Sequence, residues 1–150
     1  MEWRQGEFVI STDRARIDVD KVYLYLNGES YWSAGIPRDV FERSIEHALC
    51  FGLYNRDEQI GFARVITDYA TIAYIGDVFV LEAYRGQGLS KWLMSVIRGH
   101  PDLQGFRRWM LTTRDAHGLY RQFGFTPLAI PERWMESWNP NVYKPPEGPA

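Results

Sequence analysis

VFVLEAYRGQGLSKWLM, Val78 to Met94, passes from an apolar run through a loop with two glycines and an arginine into a pattern of helical period. Leu89, Trp92, Leu93, Val96 and Ile97 fall at i, i+3, i+4, i+7 and i+8, which predicts an amphipathic helix with those side chains inward. Gly99-His100-Pro101 ends it, because the residue before a proline is pushed out of the helical region. A helix that starts near Gly88 leaves the N–H groups of Gln87 to Ser90 without partners at the positive end of its dipole. Its first turn holds Lys91 and no Asp or Glu, and Arg85 precedes it closely. That combination is a site for an anion. The alternative for Gly86 and Gly88 is a tight strand-to-helix turn and nothing more.

Upstream, LCFGLY, the turn NRDE and QIGFARVITD read as a hairpin, and ATIAYIGDVFV as a third consecutive strand. Before them, Asp18 caps a helix with Val19, Val22, Tyr23 and Leu26 on one face, and Pro37 opens a second with Val40, Phe41, Ile45 and Ala48 inward. EFVIST is the first strand. Downstream, RRWMLTT predicts a short strand and DAHGLYRQF a short helix burying Ala116, Leu119, Tyr120 and Phe123, stopped by Gly124. The tail adds one edge strand around TPLAI, then proline-punctuated coil, with residues 144–150 expected to fray. The order β-α-α-β-β-β-α-β-α-β describes a mixed α/β sheet covered by helices, in a single domain spanning 1–150.

With 150 residues, 45% apolar and 24% charged, the composition is that of an ordinary globular chain with one core. The aromatic share of 15% is high, and its rings either pack the core or line a pocket. A net charge of −2 leaves no footprint for nucleic acid, and no polybasic stretch addresses a membrane surface. No apolar run approaches the roughly 18 residues of a membrane span, so a cytoplasmic protein is expected. Cys50, the single cysteine, reads as a small core residue. Neither a Cys/His cluster with metal-ligand spacing nor a Gly-x-Ser-x-Gly nucleophile is found, so no metal and no covalent intermediate are expected.

Among phosphate-binding signatures, the Walker GxxxxGK[ST] is absent, and GxGxxG fails because Lys91 stands three positions after Gly88. What remains is [QR]-x-x-G-x-[GA], met by Arg85 and Gly88, with Ser90 in the last position. This resembles motif A of the GCN5-related N-acetyltransferases, the GNAT superfamily, and LYRQFGF about thirty residues later is similar to its Y-x-x-x-G-F motif B. The resemblance spans nearly the whole chain. It implies the GNAT fold, a mixed and mostly antiparallel sheet flanked by helices, with acetyl-CoA as cosubstrate.

By that resemblance, Arg85, Gly86, Gln87, Gly88, Leu89 and Ser90 hold the pyrophosphate. Val78 offers its N–H to the acetyl carbonyl, Phe79 and Val80 line the pantetheine arm, and Thr113 stands where many members carry a cofactor-reaching Asn. Tyr120 matches the tyrosine that protonates the leaving thiolate, with core packing as its competing role. Asp77 is the expected base or electrostatic partner for the amine, Tyr74 is a second candidate, and His117 is expected to face solvent or cap its helix. Tyr31, Trp32 and Arg38 on one side, and Trp134, Glu136 and Tyr143 on the other, are the expected acceptor-binding groups. The implied reaction is direct acetyl transfer to the primary amine of a small molecule in a ternary complex. The alternatives left open are a protein lysine or N-terminal acetyltransferase and a noncatalytic acyl-CoA sensor, and the aromatic C-terminal segment leaves a homodimer open as well.

Overall fold

The computed structural model describes residues 1–149. Its elements are β1 Glu2–Gln5, β2 Phe8–Ser11, α1 Val19–Gly28, α2 Arg38–Glu46, β3 Leu49–Asn55, β4 Glu58–Thr67, β5 Ile72–Val80, α3 Leu89–Gly99, β6 Arg108–Met110 and α4 His117–Arg121. The six strands form one sheet in chain order. Neighbours are antiparallel except β5 and β6, whose parallel pairing requires the crossover that α3 supplies. Among the described residues, no helix is long and apolar enough to cross a membrane.

The sheet is mixed and mostly antiparallel, as expected, but its ends differ from the expectation. A strand β1 forms from EWRQ, where Trp3 is the one apolar residue, because Gly6 at φ 61° turns it back onto β2 in register Glu2↔Ser11 to Gln5↔Phe8. The expected strand at TPLAI does not form among the described residues. Pro127 and Pro131 bracket it and can donate no ladder hydrogen bond, and the chain makes a single 3-10 turn at Pro131–Arg133 instead. Residues 144–149 carry neither helix nor strand, and Ala150 of the tail lies outside the described residues.

Both faces of the sheet are covered. Phe51, Leu53, Val65 and Ile75 pack under Leu89, Leu93 and Ile97 of α3 on one face, while Cys50, Phe62 and Phe79 meet Val22, Leu26, Phe41 and Ile45 of α1 and α2 on the other. Asp18 caps α1 by accepting from the Lys21 N–H at 3.0 Å. Burial pushes the Cys50 thiol up to about 11, which makes it inert.

The sheet is interrupted where β4 meets β5. Phe62 pairs with Phe79 and Arg64 with Gly76, so Asp77 and Val78 together oppose Ala63 in a β-bulge. Asp77 takes the left-handed conformation, φ 55°, which aspartate tolerates better than most residues. The extra residue exchanges the two faces. Before the bulge, Ala73 and Ile75 lie on the α3 side; after it Val78 and Val80 do, and Phe79 turns toward α1.

Candidate active site

Chain geometry opens a slot beside this bulge. β6 pairs with β5 only from Ile72 to Tyr74, so β5 continues from Ile75 to Val80 with no strand on that edge. The Leu81 N–H donates to the Ile60 carbonyl at 2.8 Å, toward β4. Alternation gives Phe79 the same direction and turns the Val78 and Val80 backbone groups to the open edge. The Val80 carbonyl is taken there by Arg85 Nε at 2.9 Å.

Just past the strand, a 3-10 turn at Glu82–Tyr84 leads to Gly86 at φ 79° and Gly88 at φ 76°, the residue that caps α3. A Cβ on either glycine would meet no atom within 4 Å. The backbone conformation, rather than crowding by the protein, calls for glycine, and the space before the loop is open. The first helical bond runs from the Trp92 N–H to the Gly88 carbonyl at 3.0 Å, and no side chain caps the helix. Among the described residues, the N–H groups from Gly86 to Lys91 have no protein acceptor. Leu89 is in the core, so only its backbone faces the loop, while the Gln87 side chain turns back to the Tyr84 carbonyl at 3.4 Å.

The Arg85 side chain makes its protein contacts at the end of β5. Besides Val80, its guanidinium donates to Tyr25 Oη at 3.2 Å, and the Tyr25 ring stacks on Phe79 with centroids 3.8 Å apart. Arg85 braces the end of β5 against α1. Phe79 is accordingly committed to the core under α1.

Tyr120 of α4 packs into the α3-side core and is 9% exposed. Burial, reinforced by Tyr31 and Asp115, pushes its phenol up to about 12. Among the described residues its hydroxyl makes no hydrogen bond. Thr113 Oγ1 accepts from the Ala116 N–H at 3.0 Å, shaping the entry to α4, and His117 is exposed, as expected.

The α1–α2 linker forms the wall facing the bulge. Trp32 Nε1 donates to Asp77 Oδ1 at 2.8 Å, and Arg64 Nε donates to Asp77 Oδ2. Tyr31 meets Trp32 edge to face, accepts from the Arg114 N–H at 3.0 Å, and carries the Arg114 guanidinium 3.8 Å over its ring. The linker therefore runs from the bulge to the β6–α4 loop. Tyr74 Oη bonds to Thr112 Oγ1 at 2.9 Å, and Tyr74, Thr113, Tyr120, Trp134 and Glu136 share a cavity of about 690 Å³ along β6.

Arg38 is not brought into this group. It pairs with Asp20 at 2.7 Å and Glu42 at 2.6 Å, fastening α2 to α1 on the outer surface. Tyr143 packs against the α1–α2 core. Two residues of the site are not apparent from the motifs, Tyr25 and Arg64. For Arg64 a local signal exists, a cation between the buried Ala63 and Val65 in the middle of a strand, and it requires a partner.

The loop leaves a row of amide donors at the start of α3, β5 leaves one edge open, and Tyr120 packs into the same α3-side core as Val78 and Leu89. The sequence model of the acetyltransferase (GNAT) domain matches residues 46–127, which include all three features. A Gibberella zeae protein designated an acetyltransferase is 31% identical over 79% of this chain and 78% of its own length. A crystal structure of a GNAT-family protein from Xanthomonas campestris pv. campestris is 46% identical and covers 95% of this chain and 100% of that one, with a TM-score of 0.91. A Staphylococcus aureus protein of unknown function is 27% identical over 88% of this chain and 98% of its own, with a TM-score of 0.72. With its motifs, sheet and relatives in agreement, the chain belongs to the GNAT family of acetyltransferases.

Proposed function

We propose that the protein transfers an acetyl group from acetyl-CoA to the primary amine of a small molecule. The observation that carries this reading is the unbroken row of undonated N–H groups from Gly86 to Lys91, which follows a strand whose edge is left open from Ile75 to Val80. These features fit acetyl-CoA: the loop amides suit a pyrophosphate, and the open edge of β5 suits an extended arm with amide groups of its own. When bound, the cosubstrate supplies an acetyl thioester with an electrophilic carbonyl.

The chain's own residues then have distinct tasks. The Val78 N–H donates to the carbonyl oxygen, where negative charge grows as the amine attacks. The Tyr120 hydroxyl keeps its proton at neutral pH and donates a hydrogen bond to the departing sulfur. Complete transfer from a phenol at about 12 to a thiolate near 8.5 would run uphill by roughly three pKa units, so solvent completes the protonation and also takes the proton that the ammonium loses before it attacks. Asp77, with a donor on each oxygen, acts as the electrostatic partner of the incoming amine and holds Trp32 in the wall. The linker's span from Asp77 to Arg114 favours a small acceptor over a peptide in an open groove.

The test is release of free thiol from acetyl-CoA in the presence of amino acids, polyamines, aminoglycosides, aralkylamines and lysine peptides. Turnover with small amines supports the proposal. Turnover with peptides alone, or acetyl-CoA binding without any turnover, would replace it with a protein acetyltransferase or a sensor.

A further inference from the structure

Arg64 is the residue of the acceptor wall that the transfer chemistry leaves without a task. It sits on β4 directly opposite Gly76, where the absence of a side chain leaves Arg64 Nε 4.0 Å from the ideal Cβ position. Asp77 accepts its Nε hydrogen and fixes the plane of the guanidinium. The Arg64 side chain is 20% exposed and that of Asp77 is 7% exposed. Both Nη groups of Arg64 donate to nothing among the described residues, so an oriented fork remains for a ligand.

An arginine needed only to neutralise Asp77 would do so best by engaging both carboxylate oxygens in a fork-to-fork pair. Here one oxygen is given to Trp32 and the second is met through Nε alone, which turns the Nη groups away from the carboxylate. The result is a fixed cation and a fixed anion side by side, next to the backbone donor Val78. A ligand carrying one ammonium and one carboxylate complements that pair. Val78 shares the position opposite Ala63 with Asp77, one step of about 3.4 Å along β4 from the Arg64–Gly76 pair. A small amino acid spans such a distance, its nitrogen toward Val78 and Asp77 and its carboxylate on the fork.

We infer that the acceptor is an amine bearing a carboxylate, and that Arg64 is the specificity-determining residue that binds it. This rests on the reading of the protein as a small-molecule amine acetyltransferase. A phosphate would also suit a guanidinium, and the phosphorylated amines in the experiment separate the two.

The experiment compares acetyl-CoA turnover on amino acids, their carboxamides, the corresponding decarboxylated amines and phosphorylated amines, with wild-type protein and Arg64→Lys. The expected result is a preference of roughly 10- to 100-fold in kcat/KM for the acid over its amide, the size that one charge-assisted hydrogen bond confers. In Arg64→Lys the preference should shrink to a few-fold through KM, with kcat nearly kept and Tm close to wild type, because lysine still neutralises Asp77. Equal use of acids and amides by the wild-type protein overturns the inference while leaving amine acetylation standing, and so does a preference for phosphorylated amines. Absence of turnover on every amine removes the acetyltransferase reading itself, and this inference with it.

Discussion

The two ends of α3 are finished in opposite ways. At its C-terminal end the His100 N–H returns to the Ile97 carbonyl at 3.2 Å, Gln104 Nε2 donates to the Arg98 and His100 carbonyls at 2.8 Å each, and His100 Nδ1 accepts from the Asp102 N–H at 3.1 Å. The His100 ring is buried between Trp3 and Phe51. At its N-terminal end a left-handed glycine stands where Ser, Thr, Asp or Asn would cap, and the amides face open space. One helix thus closes its polar groups at one end and leaves them open at the other, where the proposed function seats the pyrophosphate. The open donors support that proposal because the other end shows how fully the same helix is otherwise capped.

Substitutions should separate the two ends. The largest effect is expected at the closed one: Leu103→Ala, at a side chain 1% exposed beneath the turn after α3, should cost about 3 kcal/mol in urea unfolding and leave acetyl-CoA affinity unchanged. On the open side, Tyr120→Phe should lower kcat about 100-fold, with Tm close to wild type, since the hydroxyl makes no internal hydrogen bond. A turnover number unchanged in that variant would remove Tyr120 from the chemistry. Gly88→Ala should weaken acetyl-CoA binding about tenfold by calorimetry and cost only about 1 kcal/mol of stability, because the new Cβ meets ligand space and a φ of 76° rather than protein atoms.

The smallest effect concerns pH. Burial holds the His100 imidazole below its ordinary value, against the raising influence of Asp102. A folded pKa below the unfolded one, near 6.5, means that the stability held by the neutral ring is complete above that value and is lost as pH falls through it. Protonation would also remove the Nδ1 acceptor. Urea midpoints measured from pH 8 to pH 5 should fall in the wild type and fall less in His100→Gln, while acetyl-CoA affinity should not track His100.

What could be read in the sequence was what is local. The α3 pattern, the glycine loop before it and the Asp18 cap each lie within about ten consecutive residues, and they appear as expected. β1 escapes such a reading because a hairpin strand with one apolar residue owes its existence to its partner, not to its own pattern. The tail strand was expected from an apolar run whose flanking prolines outweigh it. In the site, the Arg64–Asp77 pair joins residues thirteen apart, and Trp32–Asp77 joins residues forty-five apart. Neither separation corresponds to any repeat in the sequence. Arg85 shows the same limit: its motif marks the loop before α3, while the Tyr25 to which its guanidinium donates stands sixty residues away.

The bulge at Asp77 has a consequence for how this chain can change length. Because the bulge takes up one residue, removing Asp77 would regularise the ladder and leave Phe79 toward α1 and Val78 and Val80 toward α3. Removing a second residue would present Phe79 to α3 and Val80 to α1, inverting two cores at once. The bulge therefore works as slack of a single residue: the strand can lose that one and keep both cores, and it can lose no more.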